Sequence, residues 1–187
     1  MSKGKLFVIS GCSGVGKSTV LKQVMAARQD LSFSVSATSR APRQGEEHGV
    51  HYYFVSEEEF RNMIERNEML EYDVHNNTYY GTPRRQVEEK TENGNVILDI
   101  EPVGAFNVRA AYPQATLIFI MPPSRQELER RLTSRGDTSP EQIAMRLDRA
   151  AWEMDQAEKY DYVVVNEVVQ DCAEEILRII AEKVNEE

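Results

Sequence analysis

The residues with the sharpest chemical content are Gly11-Cys12-Ser13-Gly14-Val15-Gly16-Lys17-Ser18-Thr19, which match the pattern GxxxxGK[ST]. Glycines let such a loop curl until successive amide N–H groups point inward. A helix that follows adds the positive end of its dipole, so the nest suits an oligophosphate. An apolar run before it (residues 6–10) and a helix-period run after it (residues 19–28) supply the strand, loop and helix setting that this chemistry needs. Lys17 is then expected to bridge β- and γ-phosphates, and Ser18 to place a hydroxyl on Mg²⁺. Asp99, at the end of another apolar run (residues 96–100), is the natural second oxygen donor for that ion, directly or through water.

A phosphate loop alone does not separate transfer enzymes from nucleotide switches. No NKxD guanine-reading motif exists in the chain, and Asp99 is followed by Ile100-Glu101-Pro102 rather than by a DxxG switch pattern. Transfer to a small acceptor is therefore the leading class. A second anion site is expected where Arg40 and Arg43 flank Pro42, because two guanidinium forks on a stiffened loop suit one phosphate group. Downstream, Tyr52, Tyr80 and Thr82 carry hydroxyls that donate to phosphate oxygens without adding charge.

The elements that must hold these groups read as α/β. Apolar, β-branched runs at residues 6–10, 96–100, 116–120 and 162–165 are too short for helices and suit buried parallel strands. Helix starts are marked by Ser56 with Glu59, Ser124 with Glu127, and Ser139 with Pro140 and Gln142. Residues 32–82 break the alternation with short strands at 33–37, 52–55 and 69–73, which predicts an inserted, mostly antiparallel lobe. The polar stretch 133–139 predicts a small lid, leaving residues 1–31, 83–132 and 140–187 as the core of one domain. Trp152, with apolar neighbours at helical spacing, is expected to pack inside, and the acidic C-terminal helix to bury Ile176, Ile179, Ile180 and Val184.

Composition sets the outer limits. The 31 acidic and 22 basic residues leave a net charge of −9, which argues against a broad grip on nucleic acid or an anionic membrane, so an anionic ligand must meet local cations. No run approaches the roughly 20 apolar residues that span a bilayer, and Cys12 and Cys172 stand far apart with no CxxC spacing. A cytoplasmic, reduced protein is the expectation, with self-assembly into a homo-oligomer left open. His48, His51 and His75 include an HxxH spacing with no Cys nearby and no third ligand, a poor basis for zinc. Cys12 reads as a small loop side chain, with thiolate activation by the helix N-terminus as the alternative.

With these motifs in hand, the chain resembles the guanylate kinase family. The likeness rests on the phosphate loop and on the stretches SVSATSRAPRQGEEHGVHYYFV, EYDVHNNTYYGT, VILDI and IFIMPPSRQELERRLTSRG, running from about Lys5 to Asn166. The resemblance implies a Mg²⁺-dependent, direct in-line transfer of the ATP γ-phosphoryl group to GMP or dGMP in purine nucleotide metabolism. It implies that Arg40, Arg43, Tyr52 and Tyr80 bind the GMP phosphate, that Ser36, Glu71 and Thr82 read guanine, and that Arg131, Arg135 and Arg146 are lid arginines. Chemistry agrees at Glu71: guanine presents N1–H and N2–H₂ as adjacent donors to a carboxylate, whereas adenine offers a bare N1 acceptor there.

Where the family usually continues LDI with Asp, one residue and Gln before Gly, this chain has Glu101-Pro102-Val103-Gly104. Glu101 keeps the charge on a longer arm and is given a part near the nucleotide or metal. Cys12 replaces the family's usual Pro. Two rival readings remain at this level. One is a kinase of another acceptor, such as a ribosyl bisphosphate or a different nucleoside monophosphate. The other is a guanylate-kinase-like module that binds phosphorylated peptides and has lost catalysis, against which Lys17 and Ser18 both stand.

Overall fold

Alternation of large apolar residues on both faces of short strands builds the centre of the molecule, seen in a computed structural model that describes residues 3–75, 77–134 and 139–186. The chain runs β1 (Leu6–Gly11), α1 (Lys17–Ala27), β2 (Leu31–Phe33), β3 (Ala37–Thr38), β4 (Tyr53–Phe54), α2 (Glu57–Glu65), β5 (Met69–His75) and β6 (Thr78–Pro83). It continues through α3 (Arg84–Asn93), β7 (Asn95–Asp99), α4 (Pro102–Ala111), β8 (Thr116–Met121), α5 (Arg125–Thr133), α6 (Pro140–Asp155), a 3-10 turn (Gln156–Lys159), β9 (Tyr162–Val165) and α7 (Val169–Asn185).

Five strands form a parallel sheet in the order β2-β7-β1-β8-β9. Its two faces are both buried, as a parallel sheet covered by helices requires. On one face Phe7, Ile9, Ile97 and Ile118 meet Val20, Leu21 and Val24 of α1 and Ile176, Ile179 and Ile180 of α7. The residues between them, Leu6, Val8, Leu98, Leu117 and Phe119, meet Val87 of α3 and Ala105 and Val108 of α4 on the other face. The connections leave β1 flanked by β7 on one side and β8 on the other, so the crevice at the carboxyl ends of these strands is the place where an open α/β sheet binds ligands. Register completes the placement: Ile9 lies beside Asp99 across the β1–β7 pair, which brings that carboxylate next to the loop after β1.

A second sheet, β4-β3-β6-β5, stands apart, with β3–β6 and β5–β6 antiparallel and β3–β4 parallel. Its small core of Ala37, Phe60 and Met69 is closed by α2. The helix-start signals hold: Ser56, Ser124 and Ser139 each accept the backbone N–H three residues on, and Ser139 with Gln142 makes a full capping box.

Two expectations are corrected. The run 33–37 is not one strand: Phe33 ends β2 in the parallel sheet, Ala37 begins β3 in the second, and the chain crosses between sheets at 34–36. Trp152 is 46% exposed, because α6 buries Ala150 and Glu153 rather than the face that carries the indole. Most of the expected lid, residues 135–138, lies outside the described residues.

Leu117 is fully buried on β8 between the central strand and the edge strand. Leu117→Ala is expected to lower the unfolding free energy by about 2–5 kcal/mol, read as a shifted urea midpoint at constant slope.

Candidate active site

The loop between β1 and α1 takes its shape from Gly14 and Gly16, whose φ values of +86° and +96° lie in the left-handed region. Gly16 is the N-cap of α1. No side chain caps this helix and no acid stands in its first turn, so the N–H groups of Lys17 and Ser18 and the positive dipole end are left for an anion, while Thr19 donates to the Gly16 carbonyl. By contrast α2 has a Ser56 cap and three glutamates in its first turn.

Three side chains hold the loop from behind. Arg131 Nη1 and Asn166 Nδ2 both donate to the carbonyl of Val15, at 3.1 and 2.8 Å. Arg131 also donates to the carbonyl of Asn166 (3.0 Å) and is steadied by Glu127. On the other side the N–H of Ser13 donates to Glu153 Oε2 at 3.1 Å. Arg149 links Glu153 Oε1 (2.9 Å) to Glu101 Oε2 (3.4 Å). Burial and the adjacent Glu101 carboxyl push Glu153 up to about 7. Glu101 stays below the ordinary range: burial opposes this, but the proton on Glu153 and the charges of Lys17 and Arg149 outweigh it.

In front of the loop opens a cleft of about 360 Å³. Lys17, Asp99, Glu101 and Arg149 line it together with Ser36, Glu71 and Gly104 and the rings of Tyr52 and Tyr80. Lys17 Nζ is 2.5 Å from Asp99 Oδ1. Burial disfavours the lysine's charge, yet Asp99 and Glu101 raise its pKa on balance. Glu71 is 6% exposed and accepts from Thr82 Oγ1 at 2.5 Å. Burial pushes its carboxyl up from 4.5 to about 7, against the Thr82 bond and with help from Asp73. A register shift between Met69 and Glu71 lets β5 turn this side chain inward, a common use of an irregularity beside a site.

The structure thus brings Lys17, Ser36, Tyr52, Glu71, Tyr80, Asp99 and Glu101 to one cleft, with Thr82 bonded behind Glu71. Arg40 and Arg43 do not line it. Arg40 makes a forked pair with Glu46 (2.6 and 2.7 Å) and lies over the rings of Tyr52 and Phe54, while Glu46 also accepts the N–H of Arg43. Arg131 buttresses the loop, Arg146 is exposed on α6 one turn before the cleft-lining Arg149, and Arg135 is outside the described residues. Cys12 is 2% exposed in the core and burial pushes its thiol up to about 12, which removes the activated-thiolate alternative. His48 and His51 accept backbone N–H groups of Phe54 and Glu47.

Sequence reasoning passed over Glu153, Asn166 and Arg149, whose partners are backbone atoms or lie on distant elements. For a Mg²⁺ ion the donors fit: Ser18 and Asp99 offer hard oxygens, and Asp99 is already at the loop lysine. Among the described residues no group of three His, Cys, Asp or Glu side chains could hold a metal, so phosphate oxygens and water would complete its shell.

The family model for guanylate kinase matches residues 3–183. The chain belongs to the guanylate kinase family. It is 46% identical to the guanylate kinase of Bacteroides thetaiotaomicron, over 98% of this chain and 92% of that one. The crystal structure of guanylate kinase from Anaplasma phagocytophilum superimposes with a TM-score of 0.81 at 34% identity, covering 99% of this chain and 88% of the other. The SH3-kinase fragment of tight junction protein 3 shares the fold alone, with a TM-score of 0.51 at 12% identity over 98% of this chain and 59% of that one. As a member of the guanylate kinase family, this chain is an ATP:GMP phosphotransferase. Among its described residues no helix is long and apolar enough to cross a membrane.

Two outcomes follow from the buried groups. The folded state holds an extra proton on Glu71 between pH 4.5 and about 7, so its share of stability is present below that window and is lost as pH rises through it. Glu71→Gln is expected to shrink the fall in unfolding free energy between about pH 5 and about pH 8 by up to roughly 3 kcal/mol, measured by denaturant titration at both. Cys12 and Cys172, both buried, are expected to resist alkylation at about pH 8 until the chain is unfolded, as read by mass spectrometry.

Proposed function

We propose that the chain transfers the γ-phosphoryl group of ATP directly and in line to a phosphate oxygen of GMP or dGMP, in a Mg²⁺-dependent step of purine nucleotide metabolism. The observation that carries this reading is the buried Glu71 carboxyl, held by Thr82, in the same cleft as Lys17. A carboxylate there accepts from guanine N1–H and N2–H₂. Adenine would leave it unpaired in a buried place, and such sites reject the wrong partner strongly. Ser36 lines the same cleft and reads the base together with Glu71.

Tyr52 and Tyr80, with rings in edge contact 6.1 Å apart, take the acceptor phosphate on their hydroxyls. Arg40 and Arg43 reach the same phosphate once Glu46 releases Arg40. The amides of Gly14, Gly16, Lys17 and Ser18, which the loop does not itself engage, hold the donor phosphates, with Lys17 moving from Asp99 onto the β- and γ-oxygens. Bound Mg²⁺, held by Ser18 and Asp99, would offset phosphate charge. No general base is required, because a phosphate monoester is already largely ionised near neutral pH. The protein's work is positioning and charge compensation. Arg146 and Arg135 supply further positive charge from the lid side, residues 133–139. Arg131 acts from behind through Val15. Residues 32–82 form the acceptor lobe.

ADP formation from MgATP with GMP, dGMP, AMP, CMP and UMP offered separately is expected to show turnover with the two guanine nucleotides only. Lys17→Ala should lower that turnover by a factor of about 10³. Glu71→Gln should lower kcat/KM for GMP by about 10² or more with little change in the KM for MgATP. Turnover of another acceptor would overturn the base-pocket assignment.

A further inference from the structure

Gly104 is the third residue of α4, in ordinary helical conformation, so nothing in its backbone calls for glycine, and alanine is the better helix former. What calls for glycine is space. A Cβ at this position would stand 2.5 Å from Glu71 Oε2 and 3.1 Å from its Cδ, inside van der Waals contact, with Ile100 Cδ1 behind at 3.4 Å. The other carboxylate oxygen, Oε1, is fixed by Thr82 Oγ1. The Glu71 carboxylate is therefore clamped between a hydroxyl on β6 and the bare first turn of α4, whose N-terminus has no side-chain cap.

We propose that Gly104 is a specificity-determining position for the acceptor base: its missing side chain lets α4 close against Glu71 and hold Oε2 at the face of the cleft. The inference rests on the reading of Glu71 as the guanine reader. A methyl group at 104 meets the tip of a side chain, which gives way more readily than the packed backbones of α4 and β5. The substitution therefore acts on the carboxylate's aim before it acts on the fold. Stability and selectivity should move independently, and even in opposite directions.

The test is Gly104→Ala beside Glu71→Gln, with melting temperature, KM for GMP and for MgATP, and the ratio of kcat/KM for GMP over inosine monophosphate. The inosine nucleotide keeps O6 and N1–H but lacks the exocyclic amine, so a displaced Glu71 loses more with GMP than with it. For Gly104→Ala the expected result is an unchanged or higher melting temperature and a KM for GMP raised about tenfold. The KM for MgATP should stay within about twofold, and the GMP preference should fall by about tenfold. An unchanged GMP preference in Gly104→Ala, with Glu71→Gln impaired, overturns the inference and leaves the base-reader reading standing. Equal loss with both acceptors and a lowered melting temperature overturns it as well, since that is a packing role. Unimpaired Glu71→Gln removes the reading and the inference together. Should Gly104→Ala not fold, the double variant with Glu71→Asp, whose carboxylate is one methylene shorter, is expected to fold. Its failure would place the clash at Ile100 and overturn the proposal.

Discussion

Everything this chain does with phosphate depends on one backbone turn, residues 12–16, keeping its shape between turnovers. Within the turn a single backbone bond, from the Val15 N–H to the Cys12 carbonyl, opposes uncurling. The remaining restraint comes from outside. Arg131 and Asn166 share the Val15 carbonyl, and Glu153 takes the Ser13 N–H, so α5, the segment after β9, and α6 all grip the loop by its backbone. None of these grips uses the first turn of α1, which stays free of caps and acids. The loop is preorganised through its backbone, by side chains from three other parts of the fold.

The same logic governs the acceptor end with the sign reversed. There a carboxylate is buried against its own preference, and the strain shows in its raised pKa. Burial of this kind is tolerated where the group has one hydrogen-bond donor in the protein and needs more from a ligand. On the proposed function the cleft joins matched opposites: donors of the loop for phosphate oxygens, and the buried Glu71 acceptor for N–H groups. Asp99, at the carboxyl end of β7, meets Lys17 in this cleft because β7 lies beside β1 in register.

Much of this was legible in the sequence, and the pattern of misses is physical. The phosphate loop, the strands flanking it and the three serine-started helices are local signals, carried by residues within a few positions of one another, and they hold in the structure. The parallel sheet followed from β-branched runs, but β2 did not, since three residues of an edge strand carry too little pattern and Phe33 was absorbed into the neighbouring run. Trp152 at helical spacing could not reveal that its face of α6 looks outward. Arg40 and Arg43 were recognised as a pair, but Glu46, six residues after Arg40, is what Arg40 grips here. Glu153 and Asn166 were invisible because each holds loop backbone more than a hundred residues away, and Arg149 because, beyond its helix neighbour Glu153, it reaches Glu101 across the fold.

The Arg40–Glu46 fork has a consequence for selectivity that goes beyond the base. An arriving acceptor does not meet a bare cation; it must exchange with a carboxylate already seated on that guanidinium through two short bonds. A nucleoside without a phosphate has nothing to offer in that exchange, and a singly charged anion gains little by it. A phosphate dianion brings twice the charge and a third oxygen. On the proposed function Glu46 would act as a threshold: small anions would leave the Arg40 fork in place, and the guanidinium would be released to a ligand that carries both a base for Glu71 and a doubly charged group for Arg40.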